Sequence, residues 1–262
     1  MVTASTEPKL TRISVDMQDA LARITLCNPP LNVIDIPMME ELGQVLAEIE
    51  SRSGIAVVVL SSEGKGFSAG VDVAAHTPDK VEEMLTKFHT IVRAVVTTRK
   101  VTIAAVHGLC LGGGAELAMV CDLVYTSEDA EWAFPEIKLA CYPPVACTAL
   151  AALVGQKKAA ELILTGRSFT GREAAEIGLA TRSVQRNQLG SALQAAVAQL
   201  QRLSPSALAV TKKACYAWDS MHFDKGLARA EKMYFEDLMK TEDAHEGIRA
   251  FLEKRSPKWS GR

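Results

Sequence analysis

The chain has 262 residues, and its 29 Lys and Arg against 31 Asp and Glu give a formal net charge of −2. This balance argues against a nucleic-acid binder that relies on a basic face. Its 48% hydrophobic and 23% charged residues are typical of a globular protein. The longest uncharged stretch, residues 139–156, is interrupted by two prolines, and residues 1–8 lack the apolar segment of a secretory signal. We therefore expect a globular protein that binds neither nucleic acid nor membrane.

Six cysteines are spread along the chain without a C-x-x-C pair or a paired histidine spacing, which argues against zinc and thioredoxin-like sites. Most of them stand among apolar residues, where a free thiol packs as a small hydrophobe. We expect no metal site, and a reducing cytoplasm as the compartment.

The first part of the chain alternates predicted strands and helices. The period-two pattern over 21–26 predicts a strand, and the apolar runs 55–60 and 101–106 predict strands that are covered on both faces. Between them, apolar residues at helical spacing predict helices over 38–49 and 81–96. This order is typical of layered α/β structure with parallel strands.

After residue 184 the pattern is helical only, with predicted helices over 189–203, 205–218, 226–239 and 244–254. Because Pro205 interrupts the periodicity and suits the first turn of a helix, we place a boundary there. Residues 1–204 then form the core with the active site, and residues 205–262 form a C-terminal helical segment. The pattern leaves open whether this segment packs on a partner subunit or on the chain's own first part.

Two glycine-containing turns each follow a predicted buried strand, at residues 64–72 and 107–116. The second runs through three consecutive glycines into a helix, so its backbone can approach a ligand closely and present free N–H groups. For either turn alone, tight packing or a sharp bend explains the glycines better. The spacing matches neither the dinucleotide fingerprint nor a phosphate-binding loop.

Two carboxylates accompany these turns. Glu116 stands at the start of the helix after the glycines, where a helix dipole alone would favour an acid, and Glu136 stands in the short segment FPEI. Together they indicate two carboxyl groups flanking one pocket beside backbone donors. General acid–base chemistry on a carbonyl compound requires that arrangement.

In the order and spacing of its motifs the sequence resembles the crotonase superfamily of enoyl-CoA hydratases and isomerases, over essentially the whole chain. The resemblance rests on FSAGVD at 67–72, GGGAELA at 112–118, CD at 121–122, FPEI at 134–137, LTGR at 164–167 and AFLEKR at 250–255. It implies an α/β fold, a crotonase-like spiral of strand–strand–helix units with a C-terminal helical trimerisation segment. It also implies self-association as a trimer or a dimer of trimers.

The resemblance further implies an acyl-CoA thioester as substrate and no separate cofactor, because coenzyme A is carried by the substrate. Backbone N–H groups of Ala69 and Gly113 are then expected to bind the thioester oxygen, on which negative charge develops. The remaining residues that the resemblance assigns to substrate binding are Ser68, Gly70, Val71 and Asp72 in the first turn, with Phe251 and Lys254 near the nucleotide end of coenzyme A.

Family hydratases use two carboxyls at the positions of Glu116 and Glu136, and the presence of both favours water addition. Two close carboxylates do not both ionise readily, so we expect one raised pKa and a coupled titration, with the acid and the base unassigned. Isomerisation or thioester hydrolysis on the same site is the nearest alternative. A non-catalytic binding homologue is a further alternative, against which the two retained acids argue.

The segment after Glu136 departs from the glycine-rich stretch of common short-chain hydratases. Residues 139–150, together with 32–35 and 246–255, resemble most the cyclohexa-1,5-diene-1-carboxyl-CoA hydratases. That likeness implies a cyclic dienoyl thioester and a role in the degradation of aromatic compounds.

Overall fold

The computed structural model describes residues 10–77, 79–216 and 220–261, and for residues 220 and 221 it describes the backbone alone. The last two positions of the helix predicted over 205–218 lie outside the described residues. Among the helices that are described, none is both long and apolar enough to cross a bilayer.

The strands form two sheets. In chain order the strands of the described residues are β1 (Ile13–Gln18), β2 (Leu21–Leu26), β3 (Val57–Ser62), β4 (Val101–Val106), β5 (Leu109–Leu111), β6 (Leu123–Ser127), β7 (Glu131–Ala133), β8 (Phe169–Thr170) and β9 (Arg182–Val184). The main sheet has the order β1-β2-β3-β4-β6-β9, and the small one has the order β5-β7-β8. Only β1 with β2 and β7 with β8 pair antiparallel among these strands. The predicted α/β class with a largely parallel sheet is confirmed.

The helices cover the sheets and continue to the end of the described chain. They are α1 (Ile36–Ser51), α2 (Val81–Thr97), α3 (Gly113–Met119), α4 (Pro144–Val154), α5 (Gln156–Thr165), α6 (Gly171–Glu176), α7 (Leu189–Gln201), α8 (Pro205–Tyr216), α9 (Ser220–Glu236) and α10 (Glu242–Leu252). Two short 3-10 helices, Val73–His76 and Pro135–Leu139, matter for the site.

Local chemistry explains the boundaries of these helices. Asp35 begins α1, because its side chain accepts the N–H of Met38 at 2.9 Å, and a proline occupies the first turn. One apolar face of α1 and one of α2 are buried in the same core, as their helical periodicity predicts. The central strands β3 and β4 are buried almost throughout, which explains their unbroken apolar runs.

The C-terminal helices pack on the chain's own first part. Leu227, Tyr234 and Ile248 are buried in the main hydrophobic core, and Lys212 of α8 forms an ion pair with Asp122 at 2.8 Å. The structure therefore shows the C-terminal helices packed on the chain's own first part, and contact of these helices with a partner subunit stays a prediction. The helix α8 begins at Pro205, where the boundary was predicted.

Candidate active site

The turns that follow β3 and β4 lie side by side, because parallel strands deliver their carboxyl ends to the same edge of the sheet. Phe67 N–H donates to His107 O at 2.9 Å, and Ser68 N–H donates to Leu109 O at 3.0 Å. In return, Leu111 N–H donates to Ser68 O at 3.0 Å. This pairing holds the first glycine turn against the start of α3.

The amide of Ala69 does not face the site. It donates to Leu31 O at 2.9 Å, so it is already satisfied within the fold. The expectation that Ala69 supplies an N–H group to the substrate is therefore wrong. The chain turns at Gly70, where φ is +103°, so the amides before and after this glycine point in different directions. The amide after this glycine, that of Val71, points toward α3 instead.

Val71 and Gly113 bring their amides together. A Cβ built on Gly113 would lie 3.5 Å from Val71 N, and a Cβ built on Gly70 would lie 3.6 Å from Gly113 N. Gly113 opens α3, and the first N–H groups of a helix have no partner inside it. Val71 N–H donates to no acceptor among the described residues. The two amides can therefore hold one oxygen that carries negative charge.

Ser68 and Asp72 hold the first turn in shape. The buried Ser68 hydroxyl donates to Asn32 O at 2.7 Å and accepts the N–H of Gly70 at 3.0 Å. The Asp72 carboxylate accepts the N–H of Ala74 at 3.0 Å and so begins the helix Val73–His76. In this structure both side chains support the backbone of the turn.

Glu116 is enclosed at the start of α3, with 3% of its surface exposed. Its Oε1 accepts the N–H groups of Val145 at 2.8 Å and Ala146 at 2.9 Å, in the first turn of α4. Burial raises the pKa of Glu116 to about 7, although these two amides act to lower it. Because Oε1 accepts two hydrogen bonds, Glu116 ionises more readily than an equally buried carboxyl that accepts none.

Glu136 lies in the short helix Pro135–Leu139, opposite the glycine run. Its Oε1 approaches Gly112 so closely that a Cβ there would lie 2.6 Å from it. Its Oε2 is enclosed and has no hydrogen-bond partner among the described residues. Burial, followed by the charge of Glu116, raises the pKa of Glu136 to about 8. The structure thus brings both carboxyls into one site, where burial raises the pKa of each.

An apolar cavity of about 1080 Å³ adjoins this pair. Its walls include Ile137, Cys141 and Tyr142 from the segment after Glu136, together with Cys147 of α4 and Met233 of α9. Glu116 and Glu136 do not line it. The cavity therefore adjoins the carboxyls through the segment after Glu136 and through α4, without containing them.

Phe251 and Lys254 lie at the surface. Phe251, near the end of α10, is 53% exposed, and Lys254 follows the helix with φ +54°. The helix itself packs against the segment that carries Glu136, since a Cβ on Gly247 would lie 2.2 Å from Leu139 O. Contact of Phe251 and Lys254 with coenzyme A stays a prediction.

Sequence reasoning did not identify three backbone groups of this site: the amides of Val71, Val145 and Ala146. The two adjacent prolines before Val145 were a usable signal, because proline favours the first turn of a helix and that turn presents free N–H groups. The resemblance named Val71 only as a substrate-binding residue. The sequence carries no signal for its amide, because only the fold decides which acceptor a backbone N–H group meets. Across the described residues, His, Cys, Asp and Glu side chains form no group of three that could hold a metal ion.

Comparison with known proteins shows the family of this chain. A model described as enoyl-CoA hydratase/isomerase matches residues 16–262. The cyclohexa-1,5-dienecarbonyl-CoA hydratase of Thauera aromatica is 34% identical over 251 residues, which cover 96% of this chain and 97% of that protein.

Solved structures show the same fold. An enoyl-CoA hydratase from Mycobacterium avium subsp. paratuberculosis K-10 superposes with a TM-score of 0.87 at 25% identity, covering 96% of this chain and 100% of that chain. An enoyl-CoA hydratase from Mycobacterium avium gives a TM-score of 0.84 at 31% identity, covering 95% and 99%. The crotonase-like fold expected from the motifs is confirmed.

Proposed function

Because this chain belongs to the enoyl-CoA hydratase/isomerase family, we propose that Glu116 and Glu136 add water across the double bond of an α,β-unsaturated acyl-CoA thioester. The chain is an enzyme of the enoyl-CoA hydratase type, a hydro-lyase. The observation that carries the residue assignment is the pair of carboxyls enclosed beside the Val71 and Gly113 amides.

The two amides bind the thioester oxygen. As water adds to the β-carbon, negative charge develops on that oxygen, and N–H groups already in place stabilise this charge without reorganising. Val71 takes the part that the resemblance assigned to Ala69, because the Ala69 N–H is bonded to Leu31 O. Ser68, Gly70 and Asp72 shape the turn that holds Val71.

The carboxyls divide the proton transfers between them. Glu116, which accepts two amide hydrogen bonds, is the ionised partner and removes a proton from water while its oxygen bonds to the β-carbon. Glu136, whose Oε2 has no hydrogen-bond partner among the described residues, gives its proton to the α-carbon as the double bond is lost. One water enters the product, and a proton transfer between the two carboxyls restores the starting state.

The acyl group of the substrate is a cyclic dienoyl, and the coenzyme A that it carries makes a separate cofactor unnecessary. Support comes from the segment 139–150, and from the 34% identity to a protein named cyclohexa-1,5-dienecarbonyl-CoA hydratase. Phe251 and Lys254 bind the nucleotide end of coenzyme A in this proposal. We place the reaction in the degradation of aromatic compounds, in the cytoplasm.

The enzyme assembles as a trimer or a dimer of trimers. Large apolar side chains remain exposed on the described surface around the cavity, including Leu153, Leu164 and Met233. Contact with another subunit would cover them. Light scattering of the purified protein measures this directly, and a monomer at micromolar concentration would contradict the proposed assembly.

The deciding experiment follows products by mass after incubation with cyclohexa-1,5-diene-1-carboxyl-CoA and, separately, with crotonyl-CoA. We expect a thioester heavier by one water, with a higher kcat/KM for the cyclic substrate. Release of free coenzyme A as the main product would contradict hydration. A preference for crotonyl-CoA would contradict the cyclic acyl group alone.

A further inference from the structure

The segment 31–34, just before α1, lies along the first glycine turn. Ile34 and Val71 form an isolated parallel bridge, in which Ile34 N–H donates to Gly70 O at 2.9 Å. This C=O and the Val71 N–H belong to one trans peptide group, whose C=O and N–H point in opposite directions. The hydrogen bond from Ile34 therefore directs the Val71 N–H away from segment 31–34.

Asn32 lies in the middle of this segment and is buried, with 2% of its surface exposed. Its Nδ2 donates to Glu63 O at 2.8 Å and to Gly66 O at 2.9 Å, while its Oδ1 accepts the N–H of Asn28 at 2.9 Å. The side chain thus uses both of its donor hydrogens and its acceptor oxygen. It ties segment 31–34 to the loop that leads from β3 into the glycine turn.

The backbone of Asn32 extends this network into the turn itself. Its carbonyl oxygen accepts the Ser68 hydroxyl at 2.7 Å, and the oxygen of that hydroxyl accepts Gly70 N–H at 3.0 Å. Ser68 is fully buried, and a Cβ on Gly114 would lie 2.7 Å from Ser68 Cβ, so Ser68 also packs on the first turn of α3. Hydrogen bonds therefore lead from Asn32 to both sides of Gly70, the residue whose peptide carries the Val71 N–H.

We propose that Asn32 is a positioning residue that holds the Val71 amide in place for the thioester oxygen. The inference rests on the proposed function, in which the amides of Val71 and Gly113 bind that oxygen. Asn32 acts on Val71 through its own segment and through Ser68. A donor that is fixed in advance stabilises the developing charge more than the uncharged substrate, so Asn32 contributes mainly to the chemical step.

The kinetic test compares Asn32→Gly with Asp19→Gly. Both residues have positive φ, +50° and +53°, so glycine suits either backbone, and Asp19 lies exposed in the turn between β1 and β2. We expect Asn32→Gly to lower kcat about 10²-fold with KM little changed, because a misplacement of about 1 Å can have such an effect. Asp19→Gly should keep the kinetics of the parent protein.

Infrared spectroscopy of a bound thioester separates positioning from a purely structural role. Cyclohexanecarboxyl-CoA with 13C at the thioester carbonyl is not hydrated, since its ring has no double bond. In the parent protein we expect its C=O stretch at a lower frequency than in water, because two fixed amides polarise the bond. In Asn32→Gly, at saturating ligand and below the melting temperature, the band should return toward its position in water.

Ser68→Ala is the second variant, because it removes one link of the network with little change in volume and should move the band in the same direction. A lower melting temperature with unchanged kcat and an unmoved band in both variants would overturn the inference. A band in the parent protein that matches the band in water would contradict the proposed pair of amides, and the inference with it. Failure of the parent protein to hydrate any thioester would contradict the proposed function alone, while the carbonyl band still decides the role of Asn32.

Discussion

Val71 and Gly113 face each other across a gap too narrow for a side chain. A Cβ on Gly113 would lie 2.6 Å from Val71 Cγ2 and 3.2 Å from Phe88 Cζ. Real Cβ atoms do not approach other heavy atoms to 2.6 Å, so any side chain at position 113 must displace Val71. The glycine therefore leaves room for the Val71 side chain and keeps the space beside the Val71 amide open.

Gly113→Ala should reduce kcat by roughly 10²- to 10³-fold, the usual effect of losing one donor to a developing oxyanion. The added methyl must displace the Val71 side chain, and it lies 3.5 Å from the Val71 amide nitrogen, in the space proposed for the thioester oxygen. Steady-state kinetics on the preferred enoyl-CoA thioester measure this effect.

The control is Gly190→Ala in α7, where an added Cβ meets no atom within 4 Å. That variant should keep wild-type kinetics and gain up to about 1 kcal/mol of helix stability. Equal activity of the two variants would show that the Val71–Gly113 pair holds no reacting oxygen.

Glu116→Gln and Glu136→Gln should each lower kcat by roughly 10²- to 10⁴-fold, because an amide neither accepts the proton of water nor donates one to carbon. The side chains are nearly isosteric, and Gln at position 116 can still accept the N–H groups of Val145 and Ala146. Dissociation constants of a saturated acyl-CoA, measured by calorimetry, should therefore change little. Glu176→Gln, at an exposed position of α6, is the matched control, and full turnover in either active-site variant would refute the assigned roles.

Glu136→Gln should also make the stability of the protein less dependent on pH. Folding raises the pKa of Glu136 from 4.5 to about 8. Between these values the unfolded chain releases a proton that the folded chain keeps, so the free energy of unfolding falls as pH rises. The variant lacks this loss. Its free energy of unfolding, relative to that of the parent, should therefore rise by at least about 1 kcal/mol between pH 5 and pH 8. Urea unfolding at both pH values measures it, and parallel changes in the two proteins would contradict the raised pKa.

Lys212→Met should destabilise the fold by about 3 kcal/mol, because it leaves Asp122 without its buried cation. Lys212 is 9% exposed, and its Nζ donates to Asp122 Oδ2 at 2.8 Å and to Lys100 O at 2.9 Å. Lys213→Met removes a neighbouring exposed cation and should change stability by no more than about 0.5 kcal/mol. Chemical unfolding compares the two, and equal stabilities would show that this pair does not anchor α8.

Regular elements followed closely from the sequence. The strand predicted over 21–26 is β2, and the helix predicted over 81–96 differs from α2 by one residue. The strand predicted over 55–60 begins two residues later, because Ile55 and Ala56 are buried in the loop that leads into β3. Burial alone produces an apolar run, so it does not distinguish a strand from the buried loop before it.

By itself, the sequence determined the alternation of strands and helices, the family, and the choice of Glu116 and Glu136 as candidate catalytic residues. Each of these depends on residue type and spacing along the chain. Only the tertiary structure decided which amide is left without an acceptor, that Glu116 accepts two N–H groups from the first turn of α4, and that α9 covers the segment carrying Glu136. These depend on contacts between residues far apart in the chain. The carbonyl of Leu31 engages Ala69, and the turn at Gly70 redirects Val71 toward Gly113. Such partners are selected by packing in three dimensions, and no local pattern records them.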